Sequence, residues 1–132
     1  IARELFREIR KSGGNHLNVA GNSIHTLNQY GCNQDWINFF VFSVIEKVHE
    51  HYPLAKIVTG GQTGVDMAGA IAGAVLGIHT EVTFPKGFRQ RDETKEIYTQ
   101  SAEDVFASMK TQVANLQKKV GIVQEQDKKI AP

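Results

Sequence analysis

Apolar residues recur along this chain with a period that changes from segment to segment, and the changes predict its elements. Ile1, Leu5 and Ile9 fall four apart among Arg3, Arg7, Arg10 and Lys11, which predicts an amphipathic helix over 1–12 closed by Gly13-Gly14. His16-Leu17-Asn18-Val19-Ala20 reads as a first strand leading into Gly21-Asn22-Ser23. A second helix follows, with Asn33 as its N-cap and Ile37, Phe40, Val41, Val44, Ile45 and Val48 as a broad apolar stripe, widened by Trp36, Phe39 and Phe42. Pro53 stops that helix, and the β-branched run Lys56–Thr59 predicts a second strand. Residues 64–76 carry Ala68, Gly69, Ala70, Ala72, Gly73 and Ala74, a helix with so little bulk that close packing on a sheet is its natural use. Gly77 ends it, and Ile78–Phe84 reads as a third strand. Crossovers of this length predict right-handed βαβ connections and a parallel sheet.

The string Lys56-Ile57-Val58-Thr59-Gly60-Gly61-Gln62-Thr63-Gly64-Val65-Asp66 carries the most chemistry. A strand runs into a glycine turn that opens a helix, the order in which α/β proteins offer backbone N–H groups to a phosphate. Paired glycines allow φ > 0 and close approach of a ligand to the backbone. The turn has neither the Lys of a P-loop nor the spacing of G-x-G-x-x-G, and no acidic residue ends a strand about twenty residues on, which argues against a P-loop NTPase and an ordinary dinucleotide dehydrogenase. In a parallel sheet, three segments converge beyond the carboxyl ends of the strands: Gly21 to His25, Gly60 to Asp66, and Pro85 to Glu93. Candidate ligand-binding residues are therefore Gly21, Asn22, Ser23, Gly60, Gly61, Gln62, Thr63, Gly64 and Asp66, with Lys86, Arg89 and Arg91 as mobile cations. His25 is expected at the surface.

Gly60-Gly61-Gln62-Thr63-Gly64-Val65-Asp66 with its Ala/Gly-rich helix resembles the SLOG superfamily of Rossmann-like nucleotide-binding proteins. Within it, the string resembles the group labelled molybdenum carrier proteins. The likeness continues through Gly77-Ile78-His79 into Phe84-Pro85-Lys86-Gly87-Phe88-Arg89-Gln90-Arg91-Asp92-Glu93, so it covers roughly residues 16 to 100. It implies an α/β, Rossmann-like three-layer domain with a small, mainly parallel sheet of three to five strands and flanking helices. The implied ligand is a nucleotide or a nucleotide-derived phosphate, bound by a sensor, carrier or sequestering protein. Cytokinin-releasing phosphoribohydrolases of the same superfamily carry Pro-Gly-Gly-x-Gly-Thr-x-x-Glu; this chain has Thr59 in place of the proline, one more residue between its glycines and no matching glutamate. A nucleotide N-glycosidase using Asp66 or the Asp92-Glu93 pair is thus the alternative, and a structural subunit with a vestigial pocket is a third reading. The turn is also similar to that of the DNA-processing protein A family.

Composition narrows these readings. At 132 residues and net charge +1, the chain can bury one modest core, and bulk charge gives no reason to expect nucleic-acid binding. With Cys32 alone there is no internal disulfide, and with no apolar run of spanning length a cytoplasmic, membrane-free setting is expected. A chain opening on Ile1 is expected to be trimmed or part of a longer polypeptide. Glu46 and His49 have the helical spacing of a carboxylate-bridged metal motif but lack a second copy, so no metal site is expected, and no cofactor beyond the nucleotide-type ligand.

Ser101 to Asp104 resembles a capping box, and Val105, Met109, Val113, Leu116 and Val120 give a helix over 102–120 with a seam for a core or another chain. Gly121-Ile122-Val123 reads as a short strand and Glu125–Pro132 as a polar tail. The organisation expected is an N-terminal helix (1–15), one domain (16–121) that includes the C-terminal helix, and a tail (122–132). A sheet this thin exposes its edges, so a homo-oligomer through the 34–51 or 102–120 helix is expected.

Overall fold

The computed structural model describes the backbone of residues 1–130 and the side chains of 1–128. Its elements are α1 (Ala2–Ser12), β1 (His16–Val19), α2 (Ile24–Asn28), α3 (Gln34–His51), β2 (Lys56–Thr59), α4 (Val65–Leu76), β3 (Thr80–Val82), a 3-10 turn (Lys86–Phe88), β4 (Gln90–Arg91), β5 (Ile97–Tyr98) and α5 (Ala102–Ile130). Strands β1, β2 and β3 form a parallel sheet in that order, with Leu17 opposite Ile57 and Ile57 opposite Thr80. Strands β4 and β5 form a separate antiparallel hairpin.

Several boundaries fall where local chemistry puts them. Gly13 adopts the left-handed conformation (φ 72°) and returns its N–H to Ile9 at the end of α1. Asn33 caps α3 by accepting from the Trp36 N–H at 2.8 Å. Gly77 closes α4 at φ 71°, and the Ser101 hydroxyl accepts from the Asp104 N–H at the start of α5.

The arrangement is α/β, as expected, but the third layer is not formed among the described residues. Both crossovers advance in one direction, β1 to β2 to β3, and two right-handed crossovers in one direction leave their helices on one face. Helix α4 lies against all three strands, and α3 and α5 pack on α4. The other face is polar and open: its Asn18 and Glu81 are exposed, and Lys56 pairs with Glu81 at 2.9 Å. The close packing expected of α4 is present. A Cβ on Gly69 would come within 2.6 Å of Val19 Cβ, and one on Gly73 would meet Thr80 and Ile57. The core gathers Val19, Ile45, Val48, Ile57, Met67, Ile71 and Leu116 around this helix.

Three further expectations are corrected. The third strand spans Thr80–Val82 rather than 78–84. Ile78 N–H turns back to the Gly73 carbonyl, and β2 leaves the sheet at Gly60, so pairing with β2 ends at Thr83. On α3, Phe40 and Trp36 stack on each other (centroids 5.4 Å apart) at the surface, while Asn38 is buried at 1 % exposure. Helix α5 continues to Ile130, so Gly121-Ile122-Val123 is helical and no strand. One glycine costs a helix about 1 kcal/mol, and strong helix formers such as Lys118, Lys119, Gln124 and Glu125 flank this one. The predicted polar tail is helical as far as Ile130, and its Ala131 and Pro132 lie outside the described residues. No described helix is long and apolar enough to cross a membrane.

Candidate functional site at the glycine turn

The three segments expected to converge do so at the carboxyl end of β2. Gly61 (φ 79°) and Gly64 (φ 88°) both sit in the left-handed half of conformational space. At Gly64 the ψ of −130° completes a conformation that is essentially restricted to glycine. A Cβ there would be driven into the Asn22 carbonyl oxygen and lie 2.8 Å from the Ser23 carbonyl carbon. A Cβ on Gly61 would fall 2.7 Å from the Phe84 ring.

Most polar groups of the turn are spent on holding it. Asp66 Oδ1 accepts from the Gly21 N–H at 3.1 Å, joining the end of β1 to the start of α4. Asp66 Oδ2 lies beside Gly60, 2.6 Å from where a Cβ would stand. The Asn22 carbonyl accepts from Val65 N–H, and Ser23 heads α2 without a side-chain cap bond. Gln62 Oε1 accepts from the N–H of Thr63 (2.9 Å) and of Arg91 (2.8 Å). The Thr63 hydroxyl donates to the Arg91 carbonyl and accepts from Ile24 N–H. Gln62 and Thr63 thus tie the glycine turn to β4 and α2. His25 is half-buried and reaches the Glu93 carbonyl at 2.9 Å through Nδ1.

Two glutamines not singled out in the sequence complete the frame. Gln34, in the first turn of α3, holds Gly64 by both ends of its amide: Oε1 accepts from Gly64 N–H at 2.7 Å, and Nε2 donates to the Gly64 carbonyl at 2.9 Å. Gln34 Nε2 also donates to Asn38 Oδ1, and Asn38 Nδ2 donates to Gln112 Oε1 at 3.0 Å, so a polar chain runs from the turn to α5. Gln90, buried at 6 % exposure, donates to the Gly61 carbonyl and accepts from Tyr98 and Gln100. The signal available for this frame was Asn38, an amide inside an otherwise apolar helical stripe.

Of the three cations expected near the turn, only Arg91 is bonded to it, through its main chain. Its Nε is buried without an acceptor. Lys86 and Arg89 are exposed, and neither forms an ion pair among the described residues. The N–H groups of Gly61 and Gln62 also meet no acceptor there. Beside the turn, a cavity of about 160 Å³ is walled by Gln34, Thr63, Gln90, Asp92, Tyr98 and Gln112, with no Lys or Arg. Burial pushes the Tyr98 hydroxyl above its ordinary value, with Asp92 and Glu93 adding to the rise.

Asp92 has a structural use. Its Oδ1 accepts from the Thr94 hydroxyl and from the N–H groups of Thr94 and Glu96, closing the 92–96 turn of the hairpin. The Thr94 hydroxyl, opposed by partial desolvation and helped by the two N–H groups, holds its carboxyl below the ordinary value of 3.8. A carboxylate whose folded pKa is lowered stabilises the fold above its unfolded pKa and loses that contribution as pH falls through the folded value. The hairpin is therefore expected to keep this support at neutral pH and lose it only below the ordinary Asp value. Amide exchange or Thr94 chemical shifts followed downward from neutrality would check this; loosening near pH 6 would contradict it. His49, the candidate in the Glu46/His49 spacing, accepts from Leu54 N–H through Nδ1.

Comparisons with protein-family models, with curated proteins and with solved structures find no match to this chain.

Proposed function

We propose that the chain binds a nucleotide or nucleotide-derived phosphate ligand at Gly60–Asp66, as a sensor, carrier or sequestering protein related to the SLOG superfamily. One observation carries the reading: at a turn whose polar groups are mostly bonded inside the protein, the N–H groups of Gly61 and Gln62 have no acceptor among the described residues, nor has the buried Nε of Arg91, whose main chain is bonded to the turn. The N–H groups of Gly61 and Gln62 and the Nε of Arg91 suit a phosphate-type oxyanion. Asp66 Oδ2 would make a phosphate unwelcome beside Gly60, so this carboxylate suits ribose hydroxyls instead. The carboxylate-lined cavity beyond Thr63 suits the N–H donors of a base. Hydrolase chemistry at Asp92-Glu93 gains no support, because Asp92 is a weak base committed to its turn. Self-association belongs to the same reading, since β1 and β3 are both edge strands and Trp36 and Phe40 are exposed on α3.

Calorimetric titration with nucleoside mono- and diphosphates, inorganic phosphate and molybdate tests this reading. A nucleotide is expected to bind more tightly than either free oxyanion. Asp66→Asn keeps an acceptor for Gly21 but removes the charge. It is expected to weaken the nucleotide about tenfold, the value of a charged hydrogen bond, and leave inorganic phosphate bound at least as tightly, since the opposing charge is gone. Chromatography of the recovered ligand should return it intact; a released base would favour the N-glycosidase reading.

A further inference from the structure

The net charge of +1 conceals an asymmetry. Arg3, Arg7 and Arg10 are spaced i, i+4, i+7, one stripe of α1, with Lys11 beside it. Leu5, Phe6 and Ile9 turn inward, and Phe6 meets His51 and Tyr52 edge-on with ring centroids 6.1 and 6.5 Å away. That packing sets the basic stripe of α1 beside Lys47 and His51 of α3. Two open grooves result, about 630 Å³ along Arg3, Arg7, Arg10 and Lys11 and about 330 Å³ between Arg3, Lys47 and His51. No carboxylate lines either one. Glu4 and Glu8 flank the stripe, Glu4 three residues before Arg7 and Glu8 three before Lys11, yet neither pairs with these cations among the described residues.

Local stability does not account for the stripe. Arg10 and Lys11 suit the negative end of the α1 dipole, but Arg3 stands in its first turn, where a cation is disfavoured. Nor does the glycine turn account for it. Gln34 clamps that turn at one end of α3, and Lys47 lies thirteen residues along the same helix, about 20 Å away.

We propose that this α1/α3 surface binds nucleic acid through its phosphodiester backbone, without reading sequence. A repeating phosphate chain matches a row of guanidinium and ammonium groups that form no ion pair among the described residues. A lipid surface fits less well, because the apolar side of α1 is already packed on α3 and cannot insert. This inference is independent of the ligand proposed for the glycine turn.

Fluorescence anisotropy with a labelled single strand of about 20 nucleotides tests it, at salt from about 50 to 200 mM. Wild type is expected to bind with a log–log salt slope of about −3, as for four or five phosphates contacted on a single strand. Arg3→Glu/Arg7→Glu/Arg10→Glu is expected to lose at least about tenfold in affinity. Lys47→Gln, which leaves α1 untouched, is expected to reduce the slope by about 0.7. Asp66→Asn should bind the strand like wild type. Absence of salt-dependent binding by wild type, or equal binding by the triple variant and Lys47→Gln, would overturn the proposal. Tighter binding to phosphatidylserine vesicles than to the oligonucleotide would overturn it as well.

Discussion

Gly64→Ala is expected to destabilise the domain by about 3 kcal/mol or more, a fall of about 10 °C in melting temperature. Two costs add. The backbone at φ 88°, ψ −130° lies where a side chain is strained, and the new Cβ would occupy the space of the Asn22 carbonyl oxygen. Neither neighbour is a flexible side chain that can swing aside, since Asn22 and Ser23 meet Gly64 through backbone atoms. Gly77→Ala is the internal comparison. Gly77 also has a positive φ (71°) but would meet nothing within 4 Å, so only the conformational cost of about 1 kcal/mol applies. Thermal unfolding of the two variants side by side measures the difference. Equal losses would mean that the contact between the glycine turn and Asn22-Ser23 is not as tight as described.

The second large effect belongs to Gln34→Leu, expected to cost about 2 kcal/mol in urea unfolding. Leucine fills a similar volume but leaves the N–H and carbonyl of Gly64 and Oδ1 of Asn38 without their partner. Water can reach part of this site, because Gln34 is only half-buried, and that keeps the loss below the sum of three buried orphans. Asn38→Leu removes the next link, to Gln112 on α5. The two substitutions should be non-additive, with a coupling above about 0.5 kcal/mol, because they share one hydrogen bond. Additive losses would show that the chain from the turn to α5 does not act as a unit.

The readable parts of this molecule are those whose cause is local. Strand β2, the glycine turn and α4 follow from a β-branched run, two glycines and a small-residue helix within about twenty residues, and they form where expected. Asn33, Gly13, Gly77 and Ser101 end their helices by short-range hydrogen bonds. What could not be read depends on partners distant in sequence. The one-sided sheet follows from strand order, which periodicity does not encode. The exchange of Phe40 for Asn38 on the buried side of α3 depends on Gln34 and on Gln112, which lies 74 residues from Asn38. Helix α2 has five residues and no periodic signal; Thr63, 39 residues beyond Ile24, accepts the N–H at its start.

The candidate site divides in the same way. The positive-φ glycines of the turn follow from local turn chemistry, whereas the Asp66 bond to Gly21, 45 residues away, does not. Nor do the uses of Gln62 and Thr63. The Thr63 hydroxyl and Gln62 Oε1 cross-link the turn to Arg91, 28 or 29 residues away. The groups left over are main-chain N–H groups and one buried Arg91 Nε, which no motif announces.

A ligand site at the glycine turn rests on those leftover donors, and amide NMR reads them directly. Uniformly 15N-labelled protein would be titrated with a nucleoside diphosphate while the amide resonances of residues 60–66 are followed. The Gly61 and Gln62 resonances should move most, with the Arg91 Nε–H signal moving alongside, while Gly64, already held by Gln34, moves little. Saturating shifts that bypass Gly61 and Gln62, or no shifts at all, would contradict a ligand site at the glycine turn.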